Sequence, residues 1–255
     1  MSDAPLRKRD RTRQALLTAA QEIVLEKGLQ SVSLQEITDR SGVALGTFYN
    51  YYRTREDVAD AIAELLQRAY HEDIDAVVAG LADPLRIVAA STRQTLAWLV
   101  PGSDVGRLLF ASGVPFLRFA LDVRQRAARD VKAGIEAGVF HVDSLAVTQS
   151  ALAGIVTGAA FDLHFGGLDA SAVPEVAEAA LRVLGVPPAR AKKVVREPLS
   201  LRPAPSLPLD ASRYLEPLDE VAPHVAPMAA TPFLVGASGR AGTEAPRKPR
   251  RSRAT

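Results

Sequence analysis

From Arg11 to about Gly185 the apolar residues recur three and four positions apart, and no stretch alternates apolar with polar for long. That spacing predicts an all-α protein of about nine helices, each opening at a capping residue or an early proline and stopping near glycine or proline. The first is expected from Thr12 to Lys27, with Leu16, Ala20, Ile23 and Val24 inward and Gly28 as its stop. The second, Leu34 to Arg40, opens on Ser33, which can cap the Glu36 amide while the Glu36 carboxylate reaches back. Gly42 permits a sharp turn into a short third helix, Leu45 to Tyr51. Thr54 caps a fourth that carries Glu56 and Asp57 in its first turn and runs toward Gly80.

The same punctuation places five more helices. Asp83-Pro84 opens the fifth and Pro101-Gly102 closes it; Ser103-Asp104 opens a short sixth to about Ala111. The seventh runs from Pro115 to near Gly138, the eighth from Asp143 to about Phe165, and the ninth from Ser171 to Leu184. Then the composition shifts: ten of the seventeen prolines lie between Pro198 and Pro249, which disfavours helix and sheet alike. Residues 197–255 are therefore expected to be a disordered tail. Its basic end, Arg247 to Arg253, reads as a solvated run, with electrostatic contact to nucleic acid as the alternative.

Two short helices joined by a glycine turn bury too little surface to be justified as core. Their value is geometric, because a helix-turn-helix projects its second helix into the DNA major groove. In a chain that is 5% aromatic, Phe48, Tyr49, Tyr51 and Tyr52 crowd into five positions. Helical spacing sets Val43, Phe48 and Tyr52 on the packing side with Leu34 and Ile37, and Thr47, Tyr49, Asn50 and Tyr51 on the outer side. A solvated face would carry Lys and Glu. Hydroxyls and phenols instead suit phosphate oxygens and sugars, and an Asn amide can read an adenine edge. Arg53 and Arg55 follow, and Arg7, Lys8, Arg9, Arg11 and Arg13 form a basic arm able to reach a neighbouring groove or phosphate.

Composition removes other classes. The chain of 255 residues is 47% apolar, enough for a sizeable core, and its formal charge of +2 leaves the polyanion question to the placement of charges. It has no cysteine, which excludes disulfides, thiol nucleophiles and thiolate metal sites and suits a reducing compartment. His71, His141, His164 and His224 lack metal-ligand spacing, and no glycine-rich phosphate loop follows a strand. No metal, cofactor or catalytic constellation is expected, so a helical enzyme has no motif behind it. The first thirteen residues are polar and basic, and the longest apolar run, around Ala151 to Phe161, is too short for a bilayer. A cytoplasmic protein without membrane association is the expectation.

Residues 10–70 resemble the tetracycline-repressor (TetR) family of bacterial transcriptional regulators. The apolar positions of the first helix, Glu26-Lys27-Gly28, Ser33-x-x-Glu36-Ile37, Ser41-Gly42-Val43, Gly46-Thr47-x-Tyr49 and Tyr52-x-Thr54-x-Glu56 all occur at the family's spacing. The resemblance implies a three-helix DNA-binding domain followed by a helical ligand-binding and dimerisation domain. Thr47, Tyr49 and Tyr51 match positions that contact DNA in the family; Ser33 and Arg55 match phosphate-contacting positions, the latter usually lysine. This chain departs from the pattern at three positions. Ala44 stands where Ser or Thr often caps the recognition helix, a loss of ~1 kcal/mol. Leu45 replaces a commonly polar or basic residue, so its base contact would be apolar, as with a thymine methyl. Val32 stands where threonine is frequent. The chain then divides into a basic arm (1–9), a helix-turn-helix domain (10–70), a helical effector and dimerisation domain (71–190) and the tail (197–255).

No motif with chemistry in it marks residues 81–185. Trp98, Phe110, Phe116, Phe119, Phe161 and His164 are the candidate pocket residues, with ordinary core packing as the alternative for each. Arg93 and Arg118 are candidate anchors for an acidic effector. Ala151, Gly154, Thr157 and Gly158 give the eighth helix a small-residue face that another helix can approach, within one subunit or across a dimer, and the resemblance selects the dimer. The expected function is that of a homodimeric repressor which binds an inverted-repeat operator in double-stranded DNA and is released by a small, mostly apolar ligand. A ligand-insensitive DNA-binding or architectural protein is the alternative.

Overall fold

The computed structural model describes residues 7–215, and among them every predicted helix forms and there is no strand. The first half comprises α1 (Lys8–Lys27), a 3-10 turn (Leu29–Ser31), α2 (Leu34–Ser41), α3 (Leu45–Phe48) and α4 (Arg55–Val78). The second comprises α5 (Pro84–Ala97), α6 (Asp104–Phe110), α7 (Phe116–Glu136), α8 (Leu145–Phe165), a 3-10 turn (Ala170–Ala172), α9 (Val173–Val183), α10 (Pro188–Val195) and α11 (Ala211–Tyr214).

The caps explain the boundaries. Ser33 and Glu36 form a reciprocal capping box at α2, and Thr54 and Asp57 form a second at α4, where the Asp57 carboxylate accepts from the backbone amides of Arg53 (2.8 Å) and Thr54 (3.0 Å). Asp83 caps α5 ahead of Pro84, and Ser103 caps α6. At α8 the cap is Ser144, one residue later than expected, because its hydroxyl is the one that reaches the Val147 amide.

Burial joins the two halves through α4. Val58, Ile62, Leu65, Leu66, Ala69 and Ile74 share one core with Leu16, Leu17 and Ile23 of α1, Phe48, Trp98, Leu108 and Phe119. With buried residues from Val58 to Ile74, α4 runs straight through the expected boundary at residue 70. A second core, built on Leu85, Val131, Phe140, Leu181 and Val195, closes the far end of α5, α7, α9 and α10.

Two expectations are corrected. The basic arm is helical from Lys8: the Arg7 carbonyl accepts from the Arg11 amide at 3.0 Å, and Asp10 lies in the first turn, where the helix dipole favours an acid. Arg13 is consequently buried, 3.6 Å from Asp10, and does not face outward. Secondly, residues 197–215 do not behave as a tail. Proline stops helix propagation but does not prevent docking, and Leu209, Ala211 and Leu215 are buried in the main core. The rest of the expected tail, with Arg247 to Arg253, lies outside the described residues, as does most of the expected arm.

Candidate DNA-binding surface and effector cavity

The helix-turn-helix is built by one obligatory glycine and one aromatic anchor. Gly42 ends α2 at φ +67°, ψ 22°, a left-handed conformation that a side chain would strain, and its N–H bonds back to the last turn of α2. α3 is shorter than expected: after Phe48 the chain tightens into a turn, with the amides of Tyr51 and Tyr52 donating to the Phe48 carbonyl. Phe48 is fully buried and Tyr52 nearly so, as the helical spacing predicted. Burial also raises the Tyr52 phenol well above its ordinary pKa.

Outward from that anchor, Leu45 and Tyr49 are 38% and 53% exposed, and Gly46 and Asn50 are exposed beside them, with Thr47 half-buried. Tyr49 stands edge-on to Phe48 at 5.7 Å between ring centroids, which fixes the direction of its phenol. A Cβ at Gly46 would meet nothing within 4 Å among the described residues, so its bareness serves nothing inside the fold. Tyr51 departs from expectation. It is half-buried against the core because the turn after Phe48 rotates it off the outer face.

The phosphate-contact candidates are present but engaged. Ser33 Oγ is exposed and donates to the Glu36 carboxylate at 2.8 Å. Arg55 is held by the Gln30 carbonyl (3.0 Å), the Gln30 side chain (3.2 Å) and Glu56 (2.8 Å). Ala44 contributes no side-chain cap to α3. Arg40 grips Glu26 with both Nη atoms (2.6 and 2.9 Å), and Lys27 pairs with Glu36, so α1 and α2 are pinned at two points. The Lys27 ammonium, with the Ser33 amide and hydroxyl, lowers the Glu36 carboxyl from 4.5 to about 2. Arg7, Lys8 and Arg11 are exposed on the first turns of α1.

The second half encloses a cavity of about 80 Å³ between α4, α5, α7 and α8. Its walls are largely apolar, with Val88, Leu99, Phe119, Val123, Leu152 and Val156 among them. Of the six candidates Phe116 and Phe119 lie in that wall and the other four do not, since helical spacing cannot say which buried face meets a void. Trp98 sits in the core with its indole N–H on Asp73 (3.0 Å). Phe110, Phe161 and His164 gather with Phe165 in an aromatic cluster, ring centroids 4.5–6.2 Å apart. His164 packs on Gly106, where a Cβ would come within 2.5 Å of Nδ1; that nitrogen is buried without a hydrogen-bond partner among the described residues, and desolvation lowers its pKa. Arg93 and Arg118 do not line this cavity either: Arg93 donates to the Glu197 carbonyl, and Arg118 pairs with Asp60 at 2.7 Å.

Sequence reasoning missed the polar groups of the cavity. Thr95 donates to the Ser91 carbonyl at 2.7 Å, which leaves the Tyr70 hydroxyl as donor in its 2.8 Å bond to Thr95. Burial pushes the Tyr70 phenol up to about 12, keeping it protonated. Ser91 Oγ and Arg126 Nε are buried with no hydrogen-bond partner among the described residues. Desolvation also raises the carboxyl of Asp130, which lines the same wall. The signal available was Ser91, Thr92 and Thr95, a polar stripe at helical spacing on an otherwise apolar face of α5.

Ala151, Gly154, Thr157 and Gly158 are all exposed on α8, though Thr157 also borders the cavity. Added Cβ atoms at Gly154 and Gly158 would meet nothing within 4 Å among the described residues. Val147, Phe161 and Phe165 continue the stripe at 68%, 52% and 55% exposure, in steps of three and four. By length and composition α8 could cross a membrane; Thr148, Leu152, Ala159, Ala160 and Leu163 pack one side of it into the protein, and the other side is uncovered among the described residues.

A projecting helix-turn-helix fused through a shared helix to a cavity-bearing helical domain defines the class of one-component DNA-binding regulators. Comparison with known proteins is specific. Residues 16–62 match the "Bacterial regulatory proteins, tetR family" model and residues 83–197 match "Tetracyclin repressor-like, C-terminal domain", together more than half of the chain. YvdT of Bacillus subtilis strain 168, an uncharacterized HTH-type transcriptional regulator, is 43% identical over 51 residues, 20% of this chain and 26% of YvdT. The HTH-type transcriptional repressor NemR of Escherichia coli K12 is 33% identical over 61 residues, 24% of this chain and 31% of NemR. These alignments span about a quarter to a third of the curated relatives. The crystal structure of RolR in complex with resorcinol matches over 78% of this chain and 98% of RolR, with TM-score 0.60 and 28% identity. The chain belongs to the TetR family of bacterial transcriptional regulators, and is a regulator rather than an enzyme.

Proposed function

We propose that this protein is a homodimeric, cytoplasmic repressor that binds an inverted-repeat operator and is released by a small aromatic ligand bearing a hydroxyl. The observation that carries the DNA half is the exposed face of Leu45, Gly46, Thr47, Tyr49 and Asn50, set rigidly on buried Phe48. Thr47, Tyr49 and Asn50 contact phosphate and base edges, and bare Gly46 lets the groove approach. Ser33, Ala44 and Tyr51 border this face, and Arg55 exchanges its bond to Gln30 for a phosphate.

The ligand half rests on the cavity. An unpartnered Ser91 hydroxyl and the Tyr70 phenol both face a void with aromatic and aliphatic walls, so a ligand that offers one donor and one acceptor beside an apolar ring satisfies them. RolR, a relative of known structure, was crystallised with resorcinol, a molecule of that class.

Release needs a ligand that favours one arrangement of the halves over another. α7 supplies it: few of its residues are buried, it walls the cavity, and it is tied to α4 by Arg118 to Asp60 and Arg126 to Asp75. Ligand that displaces α7 drags α4, and α4 carries the helix-turn-helix.

The test is fluorescence anisotropy with the DNA upstream of the protein's own gene against random DNA of equal length. A preference of at least ~10³ at physiological salt, with two subunits per site by light scattering, is expected. Uniform binding to both would make the protein architectural instead. Resorcinol and catechol are the first ligands to titrate.

A further inference from the structure

The family match ends at residue 197, yet the chain continues as an ordered segment to residue 215. That segment is held by two glutamines, Gln94 of α5 and Gln21 of α1, both fully buried. Gln94 donates to the Arg202 carbonyl (3.0 Å) and accepts from the Arg202 amide (2.9 Å). Gln21 treats Leu209 the same way, donating at 3.1 Å and accepting at 2.8 Å. Each side-chain amide therefore pairs with one backbone residue as a β-partner would. Around these anchors, Arg202 bonds Asp73 of α4, the Ser212 amide bonds Gln14 of α1 (3.1 Å), and Arg213 pairs with Glu72.

The anchors lie in different halves. Gln94 belongs to α5 of the cavity-bearing part and Asp73 to the shared helix α4, whereas Gln21 and Gln14 belong to α1, on which α2 packs. Between them Ala204 and Leu207 pack against the main core, and residues 200–206 border, with Ala69, Ala76, Val77 and Trp98, a space of about 610 Å³. A segment tied to two helices by buried side-chain amides couples the helices that hold it.

We propose that residues 199–215 are an interdomain brace that fixes α1 against the cavity-bearing half, and so sets the angle at which the recognition helix is presented to DNA. The proposal rests on the DNA-binding reading above. A two-fold site must meet two recognition helices at one spacing, so any movement left to α1 beyond its packing on α4 is entropy that binding must remove, and the brace reduces it beforehand.

Hydrogen exchange on the full chain reads the brace directly, and operator binding reads its effect. The Leu209 and Arg202 amides should exchange as slowly as the buried turns of α1. Gln21→Leu should free Leu209, leave Arg202 protected, and weaken operator binding about tenfold, the equivalent of two ordinary hydrogen bonds. A chain whose Leu209 is freed while operator affinity stays within twofold overturns the brace, as does a parent in which Leu209 already exchanges at open-chain rate. Should Gln21→Leu not fold, Arg213→Glu opposes Glu72 at the surface and should weaken binding about two- to fivefold, with Glu72→Arg restoring it. Failure of that restoration also counts against the brace. A parent that protects Leu209 but binds no DNA refutes the regulator reading and the affinity effect together, while the anchored segment stands.

Discussion

Phe48 and Tyr49 are neighbours with opposite duties, and substitution separates them. Phe48→Ala removes a fully buried ring and should cost about 3–5 kcal/mol in urea unfolding. Tyr49→Ala touches a half-exposed ring and should leave stability within about 0.5 kcal/mol while operator binding weakens by about 1–3 kcal/mol. Glu36 makes a pH prediction. Its folded pKa lies below the ordinary 4.5, so the stability it contributes is present above that value and is lost as pH falls toward 2. Urea midpoints should fall over that window in the parent, and the fall should be shallower in Glu36→Gln. At this scale the sequence was readable where a residue's role depends on its own helix, as for Phe48, Tyr52 and the Ser33 box. It was not readable for Trp98 or His164, whose roles depend on which helix lies opposite, nor for Tyr51, which a turn shorter than a helix displaced.

α8 shows the same division for a whole element. Its helix and its small-residue face were legible from spacing, but an uncovered face and an intrachain contact look alike in one sequence. The structure leaves Gly154 and Gly158 facing open space, and that gives a clean test. Gly158→Leu should raise helix propensity by about 1 kcal/mol, and therefore leave the subunit folded, while a partner helix loses its close approach. Sedimentation should show monomer where the parent shows dimer; a Gly158→Leu chain that remains fully dimeric places the interface elsewhere. The missed elements, α10 and α11, are short and proline-flanked, and local pattern alone gave no reason for them to stay. α10 is held by Ala191, Val194 and Val195 in the second core, and α11 by Ala211 in the main core and by Gln14 of α1, partners that lie outside each element's own stretch of sequence.

For the molecule as a whole, placement of charge matters more than the net +2. Exposed Arg11 on α1 stands on the same domain as the recognition face. If it meets a phosphate in each of two subunits, Arg11→Ala should make the slope of log affinity against log salt shallower by about two, whereas Tyr49→Ala should lower affinity with the slope nearly unchanged. An unchanged slope in Arg11→Ala would remove the first turn of α1 from the interface.

The bond between Gln21 and Leu209 spans 188 residues, which sets an order in time. A ribosome adding about 5–20 residues per second finishes α1 some ten to forty seconds before it makes Leu209. For that interval the nascent chain carries a helix-turn-helix whose first helix has an amide facing water at its centre. The DNA-reading end is synthesised first and sealed last, so a truncated translation product retains the recognition helix without the segment that steadies it.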